Sequence, residues 1–119
     1  DHLYTLAAES VLGQALQRSG STAEAQTLLA SVVERSRRAL PEGHWRTGRV
    51  LVAHGSVLAD LGRYEEAEAR LLEGHALLEK TYGPGHERVG EAVQELVRLY
   101  EIWNRLDQRA LWAARIPGP

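Results

Sequence analysis

The chain has 119 residues, of which 44% are hydrophobic and 25% charged, and a formal charge of −2. That leaves room for one domain with one modest core, and the near-neutral balance gives no electrostatic footprint for nucleic acid or an anionic membrane surface. With no cysteine there can be no disulfide, thiolate zinc site or cysteine nucleophile, and no apolar run reaches the roughly 20 residues of a membrane span.

In chain order, LYTLAAESVLGQAL (3–16) predicts a first helix, apolar on more than one side. Ser21 and Glu24 then stand at the S-x-x-E spacing of a capping box and predict the start of a second. Leu51, His54, Leu58 and Leu61 keep the 3–4 spacing of a third, and Gly62 follows where a C′ glycine ends a helix. A fourth starts near Tyr64, carries Ala67, Leu71, Leu72, Ala76, Leu77 and Leu78, and stops at TYGPGH (81–86), where two glycines and a proline forbid continuation. Two more helices follow, with Trp103, Leu106, Leu111 and Trp112 gathered near the end. Trp112 is expected to anchor a cap over the last apolar face, and IPGP (116–119) stops the helix. The expectation is six helices and no strands.

The chain repeats itself. Shifting it by 42 residues superposes Gly20, Glu24, Ala25 and Leu29 on Gly62, Glu66, Ala67 and Leu71. Upstream, His2, Thr5, Gly13 and Leu16 fall on His44, Thr47, Gly55 and Leu58, and downstream Gly43 falls on Gly85. Nine of the 42 positions between 2–43 and 44–85 coincide, where composition alone gives about three or four. A shorter third copy starts at His86. Similarity at a fixed period of this size indicates stacked repeats, so the chain divides into units of about 2–43, 44–85 and 86–117 within one domain spanning 1–119.

Leu12, Gly13 and Leu16 followed by Ala25 and Leu29 recur as Gly55, Leu58, Ala67 and Leu71. This pattern resembles the tetratricopeptide repeat. The resemblance implies an all-α, right-handed superhelix of stacked antiparallel helix pairs, with a concave ligand-facing surface built from the first helix of each pair. The 42-residue period and the G-P-x-H linker are similar to the longer repeats of kinesin light chain. PEGHWRTGR (41–49), LGRYEEAEARLLEGHALL (61–78) and LVRLYEIWNRLDQRALWAARIP (96–117) resemble the C-terminal repeats of large bacterial serine/threonine protein kinases. An opening on Asp1 and the absence of methionine fit a piece of a longer protein.

Glu65, Glu66 and Glu68 surround the Ala67–Leu71 stripe on the solvent side of the fourth helix. There they favour the positive end of its dipole, and Glu66 pairs with Arg70 at i,i+4; no metal is expected on them. His2, His44 and His86 share one repeat position just before a helix, where a ring can hydrogen-bond nearby backbone. Their separation is too great to share a metal. His54 and His75 read as packed, hydrogen-bonded histidines. No phosphate loop, G-x-S-x-G elbow, H-E-x-x-H helix or kinase signature occurs. The chain is therefore read as non-catalytic, with no cofactor.

What the resemblance implies is recognition of a partner protein or peptide. Carrying its ligand-facing register onto this sequence names Ser10, Gln14, Gln17 and Arg18 in the first unit. It names Arg49, Val52, Ser56 and Asp60 in the second, and Glu91, Gln94, Arg98 and Glu101 in the third. Arg18, Arg49 and Arg98 can clamp carboxylates bidentately. The paired asparagines with which kinesin light chain holds a peptide backbone are absent: those positions carry Ser10–Val11, Val52–Ala53 and Gln94–Glu95. A groove of mixed charge without a dominant sign also suits a spacer or oligomerisation segment, and helical arrays can enclose small molecules, although 6% aromatics without phenylalanine disfavours a deep pocket. Further expectations are no nucleic-acid partner, no membrane insertion, and a homodimer through the first unit in which Leu3, Tyr4 and Leu6 form an exposed face. The expected location is the cytoplasm, with a periplasmic or extracellular part of a membrane-anchored parent as the alternative.

Overall fold

The structure, a computed structural model, describes residues 3–116. Six helices follow one another there: α1 (Leu3–Arg18), α2 (Thr22–Ala39), α3 (Trp45–Asp60), α4 (Tyr64–Tyr82), α5 (Glu87–Ile102) and α6 (Leu106–Ala113). No strand occurs among the described residues. They form the expected stack of helix pairs, α1 on α2, α3 on α4 and α5 on α6, with α2 against α3 and α4 against α5 between pairs.

The turn inside each pair is the same device placed at one repeat position. Gly20, Gly62 and Asn104 have φ of 92°, 78° and 61°. At Gly62 the next amide, Arg63 N–H, donates to Leu58 O at 2.9 Å, and Gly62 N–H donates to Ala59 O at 3.0 Å. The same pair of bonds recurs at Gly20 and Asn104. This Schellman geometry returns the last helical carbonyls to partners and reverses the chain. Between pairs, the histidines act as N-caps. The Nδ1 atoms of His44 and His86 accept from the amides of Arg46 and Arg88 at 3.0 and 3.1 Å. His2 lies outside the described residues.

Small residues set the spacing within pairs. A Cβ on Gly13 would stand 2.6 Å from Leu29 Cγ, and one on Gly55 would stand 2.6 Å from Leu71 Cγ. Ala67 is fully buried beside them. The core runs through the stack, from Leu6, Val32, Val33, Val50 and Leu51 at one end to Leu58, Leu71, Leu96, Leu99 and Tyr100 at the other. Ion pairs stitch across it: Arg37 donates to both carboxylate oxygens of Glu73 at 2.7 and 2.9 Å, and Arg35 pairs with Glu9.

Several local expectations are corrected. Ser21 is the N-cap of α2, but its side chain makes no capping bond, so no capping box forms with Glu24. Glu66 is held by Arg63, at 2.7 and 2.9 Å, and not by Arg70, because Arg63 sits in the turn just before the helix. Leu61, Leu72 and Ala76 are exposed, on the outer side of the stripe that contains Leu58, Leu71 and Leu78. Leu6 belongs to the core, whereas Tyr4, Val11 and Leu12 are exposed; nothing is described of the Leu3 side chain. At the C-terminal end, Leu106 and Leu111 point outward at 61% and 71% exposure. Trp112 is the residue that packs, with its ring edge-on to His75 at 4.8 Å, and Trp103 packs beside Tyr64 and Tyr100.

Candidate partner-binding groove

The first helices of the three pairs, α1, α3 and α5, come side by side and form the walls of an open groove of about 500 Å³. Nine of the twelve expected residues, Gln14, Gln17, Arg18, Arg49, Val52, Ser56, Glu91, Gln94 and Arg98, line it. Glu101 does not. It faces α6 and pairs with Arg109 at 3.6 Å, because the last turn of α5 is covered by the final helix. Ser10 lines an adjoining cavity of about 270 Å³.

Part of this face is occupied by its own bonding. Gln17 Nε2 donates to Ser56 Oγ at 3.0 Å and to Asp60 Oδ2 at 2.8 Å. From the other side Arg98 donates to Asp60 Oδ1 at 2.8 Å, to Ser56 Oγ at 3.0 Å and to the Ser56 carbonyl at 3.1 Å. Its Nε reaches Glu95 at 3.2 Å. Burial works against the Arg98 charge, but the bonds to Asp60 and Glu95 raise its pKa all the same. Gln17, Ser56, Asp60 and Arg98 thus form one ladder from α1 through α3 to α5. Their polar groups are spent on one another.

Arg49 is different. Among the described residues no carboxylate pairs with it. Burial first, then neighbouring Arg88, lowers its pKa, so it is a guanidinium held beside like charge. It lines both the polar groove and the adjoining cavity. Apolar and aromatic groups line that cavity too, with Tyr4, Val11, Trp45 and Val50 among them. Arg46 lies over the Trp45 ring, 5.0 Å from its centre. Arg46, Arg88 and Trp45 were not among the expected site residues. The signal for them was the sequence H-x-R, present at both 44–46 and 86–88, whose histidine cap aims the next turn at the groove. Contrary to a groove without dominant sign, five arginines (18, 46, 49, 88 and 98) meet two glutamates, Glu91 and Glu95, in the linings.

The acidic triplet on α4 splits into separate roles. Glu66 bonds Arg63, and Glu68 accepts from the hydroxyl of buried Tyr100 at 2.7 Å. Among the described residues no group of three His, Asp or Glu is arranged to hold a metal ion, and no helix there is long and apolar enough to cross a membrane. His54, 5% exposed, is bonded to Gln26 at 2.8 Å. His75 is equally buried, and its Nε2 has no partner among the described residues.

Comparison with known families and proteins gives a match of one kind. Residues 5–46 match the tetratricopeptide repeat, and residues 46–108 match it again through a second description of the same repeat. No curated protein matches the chain. The two matches together run through five of the six helices and into α6, and with the stacked helix pairs they establish that this chain belongs to the tetratricopeptide-repeat family.

Proposed function

We propose that the α1–α3–α5 groove binds an extended segment of a partner protein, with an acidic side chain of that segment on Arg49 and an apolar side chain in the cavity beside it. Tetratricopeptide repeats are in general non-catalytic modules of protein–protein interaction. The observation that carries the finer reading is the Arg49 guanidinium, which pairs with no carboxylate among the described residues and has Arg88 and Arg46 near it, in a chain whose total charge is −2. Charge concentrated on one face steers an oppositely charged partner and fixes its register. Within the expected site, Gln14, Arg18, Arg49 and Gln94 are the residues we assign to the partner. Ser56, Asp60 and Arg98 are assigned to holding the groove in shape.

The kinesin-light-chain-like period and the resemblance to bacterial kinase tails support a role as a scaffold in a larger cytoplasmic signalling protein. The net charge of −2 supports a partner made of protein over one of nucleic acid. A homodimer through the first helix pair would use Tyr4, Val11 and Leu12, since Leu6 is in the core.

A peptide array displaying Asp/Glu-plus-apolar sequences, probed with the purified chain, tests the reading. Binding is expected to fall with added salt and to weaken by about tenfold or more in Arg49→Glu, the loss of one charge-assisted contact. The reading fails if the array shows no acidic preference, or if the affinity of the selected peptide is the same in Arg49→Glu. The first result would leave a spacer.

A further inference from the structure

The groove beside α5 is open where the matching groove beside α3 is filled. Gly48 and Gly90 stand 42 residues apart, each the fourth residue of its helix. Over Gly48 lies the second half of α4. A Cβ there would stand 3.1 Å from Leu77 Cβ and 3.3 Å from the Gly74 carbonyl oxygen, and a Cβ on Gly74 would stand 2.8 Å from the Gly48 oxygen. Around Gly90, among the described residues, nothing lies within 4 Å of the same point. Helix length is the reason: α4 has 19 residues and α6 has 8. α6 ends at Ala113, with Ala114 as its C-cap.

A cavity of about 770 Å³ remains between the end of α4, the linker at Pro84–Gly85, α5 and Arg115. Two independent features mark it. His75, 5% exposed, lines it with an Nε2 that has no hydrogen-bond partner among the described residues, and a buried polar atom left unpaired is costly. The lining is also acidic: Glu79, Glu87 and Glu91 outnumber Arg115, which is itself drawn over the Trp112 ring at 4.1 Å.

We propose that this groove receives an amphipathic helix from a partner protein. The helix carries a glycine at its closest approach to Gly90, leucine-type side chains three and four residues on, and lysine or arginine on its polar face. The first two features are what α4 presents to Gly48 through Gly74, Leu77 and Leu78; the third answers the three glutamates. A helix laid into a groove is an established recognition mode, and this groove adjoins the Arg49 groove across α5, with Glu91 and Gln94 lining both. A second folded copy of this chain is a poor occupant. Its Gly-x-x-Leu segments, beginning at Gly13, Gly48, Gly55 and Gly74, all have their glycine buried in their own fold.

The probe is a capped synthetic peptide with the sequence of residues 70–82 carrying Glu73→Lys and Glu79→Lys, followed by fluorescence anisotropy and by amide NMR of the full chain. Saturable binding is expected, with shifts centred on the amides of Gly90 and Val93. It should weaken by about tenfold or more in Gly90→Leu, whose side chain enters open space in the free protein and whose fold circular dichroism checks. The same loss is expected when the peptide's own Gly74 is leucine. No saturation up to about millimolar peptide, or equal affinity for Gly90→Leu, overturns the proposal. So does light scattering that shows the chain self-associating through this face, with the association lost in Gly90→Leu.

Discussion

His54 shows what a single buried group does to this fold. Its ring lies between α2 and α4, bonded to Gln26, with Arg70, Arg63 and Glu66 as the charged groups that bear on it. Burial first, then Arg70 and Arg63, lowers its pKa from 6.5 to about 4. The folded protein therefore keeps the ring neutral where the unfolded chain binds a proton. Stability is full above pH 6.5 and is lost as pH falls towards 4, by about 3 kcal/mol if the whole shift is expressed. Urea unfolding at pH 7 and pH 4.5 should show most of that loss absent in His54→Leu, which restores the residue type of Leu12, its counterpart one repeat earlier. An equal loss in both proteins contradicts the assignment. Tyr100 is the opposite case: burial and the bond to Glu68 raise its pKa, so it stays a donor at any ordinary pH.

Within the helix pairs, close approach and turn geometry carry the stability. Ala67 is fully buried, and its carbonyl lies 3.2 Å from where a Cβ on Gly55 would be. Ala67→Leu should overpack that seam and cost on the order of 1–3 kcal/mol, whereas Glu66→Ala, on the solvent side, should leave the thermal midpoint in place. Gly62→Ala should also destabilise, by about 1 kcal/mol, since its φ of 78° falls where a Cβ is strained. Equal midpoints for Ala67→Leu and Glu66→Ala would refute the helix-face assignment. The turn at Asn104 is the same device in another residue. It was harder to see in the sequence because Asn replaces Gly, although asparagine is the other residue that takes this conformation.

At the scale of the whole molecule, the ladder of Gln17, Ser56, Asp60 and Arg98 ties three helix pairs together. These side chains are 31–38% exposed at the Arg98–Asp60 pair, so each bond contributes little alone, and the network matters more than its members. Arg98→Ala should lower the thermal midpoint by the equivalent of about 1 kcal/mol, and less so in high salt. Arg49→Ala should leave the midpoint where it is or raise it, because it relieves the repulsion from Arg88. A drop in Arg49→Ala as large as that in Arg98→Ala would place Arg49 in the scaffold as well.

The sequence by itself determined the helices, their number and their turns, because these follow from residues close in the chain. The 3–4 apolar spacing, the glycines at 20 and 62, and the histidines before α3 and α5 each act over a few residues. The 42-residue period also marks the first helix of every pair, the helices on which the proposed groove is built. Only the tertiary structure decided which of those surface residues are free. Stacking brings positions 36–43 residues apart into contact, as in Arg37–Glu73, Arg98–Asp60 and Gln17–Asp60. No local pattern shows that Asp60 is shared by Gln17 and Arg98 while Arg49 forms no ion pair with a carboxylate among the described residues. The burial of Leu6 and the gap over Gly90 have the same origin. Each depends on whether a packed helix, of the same pair over Gly90 and of the same and the next pair over Leu6, is long enough, and near enough, to cover that position.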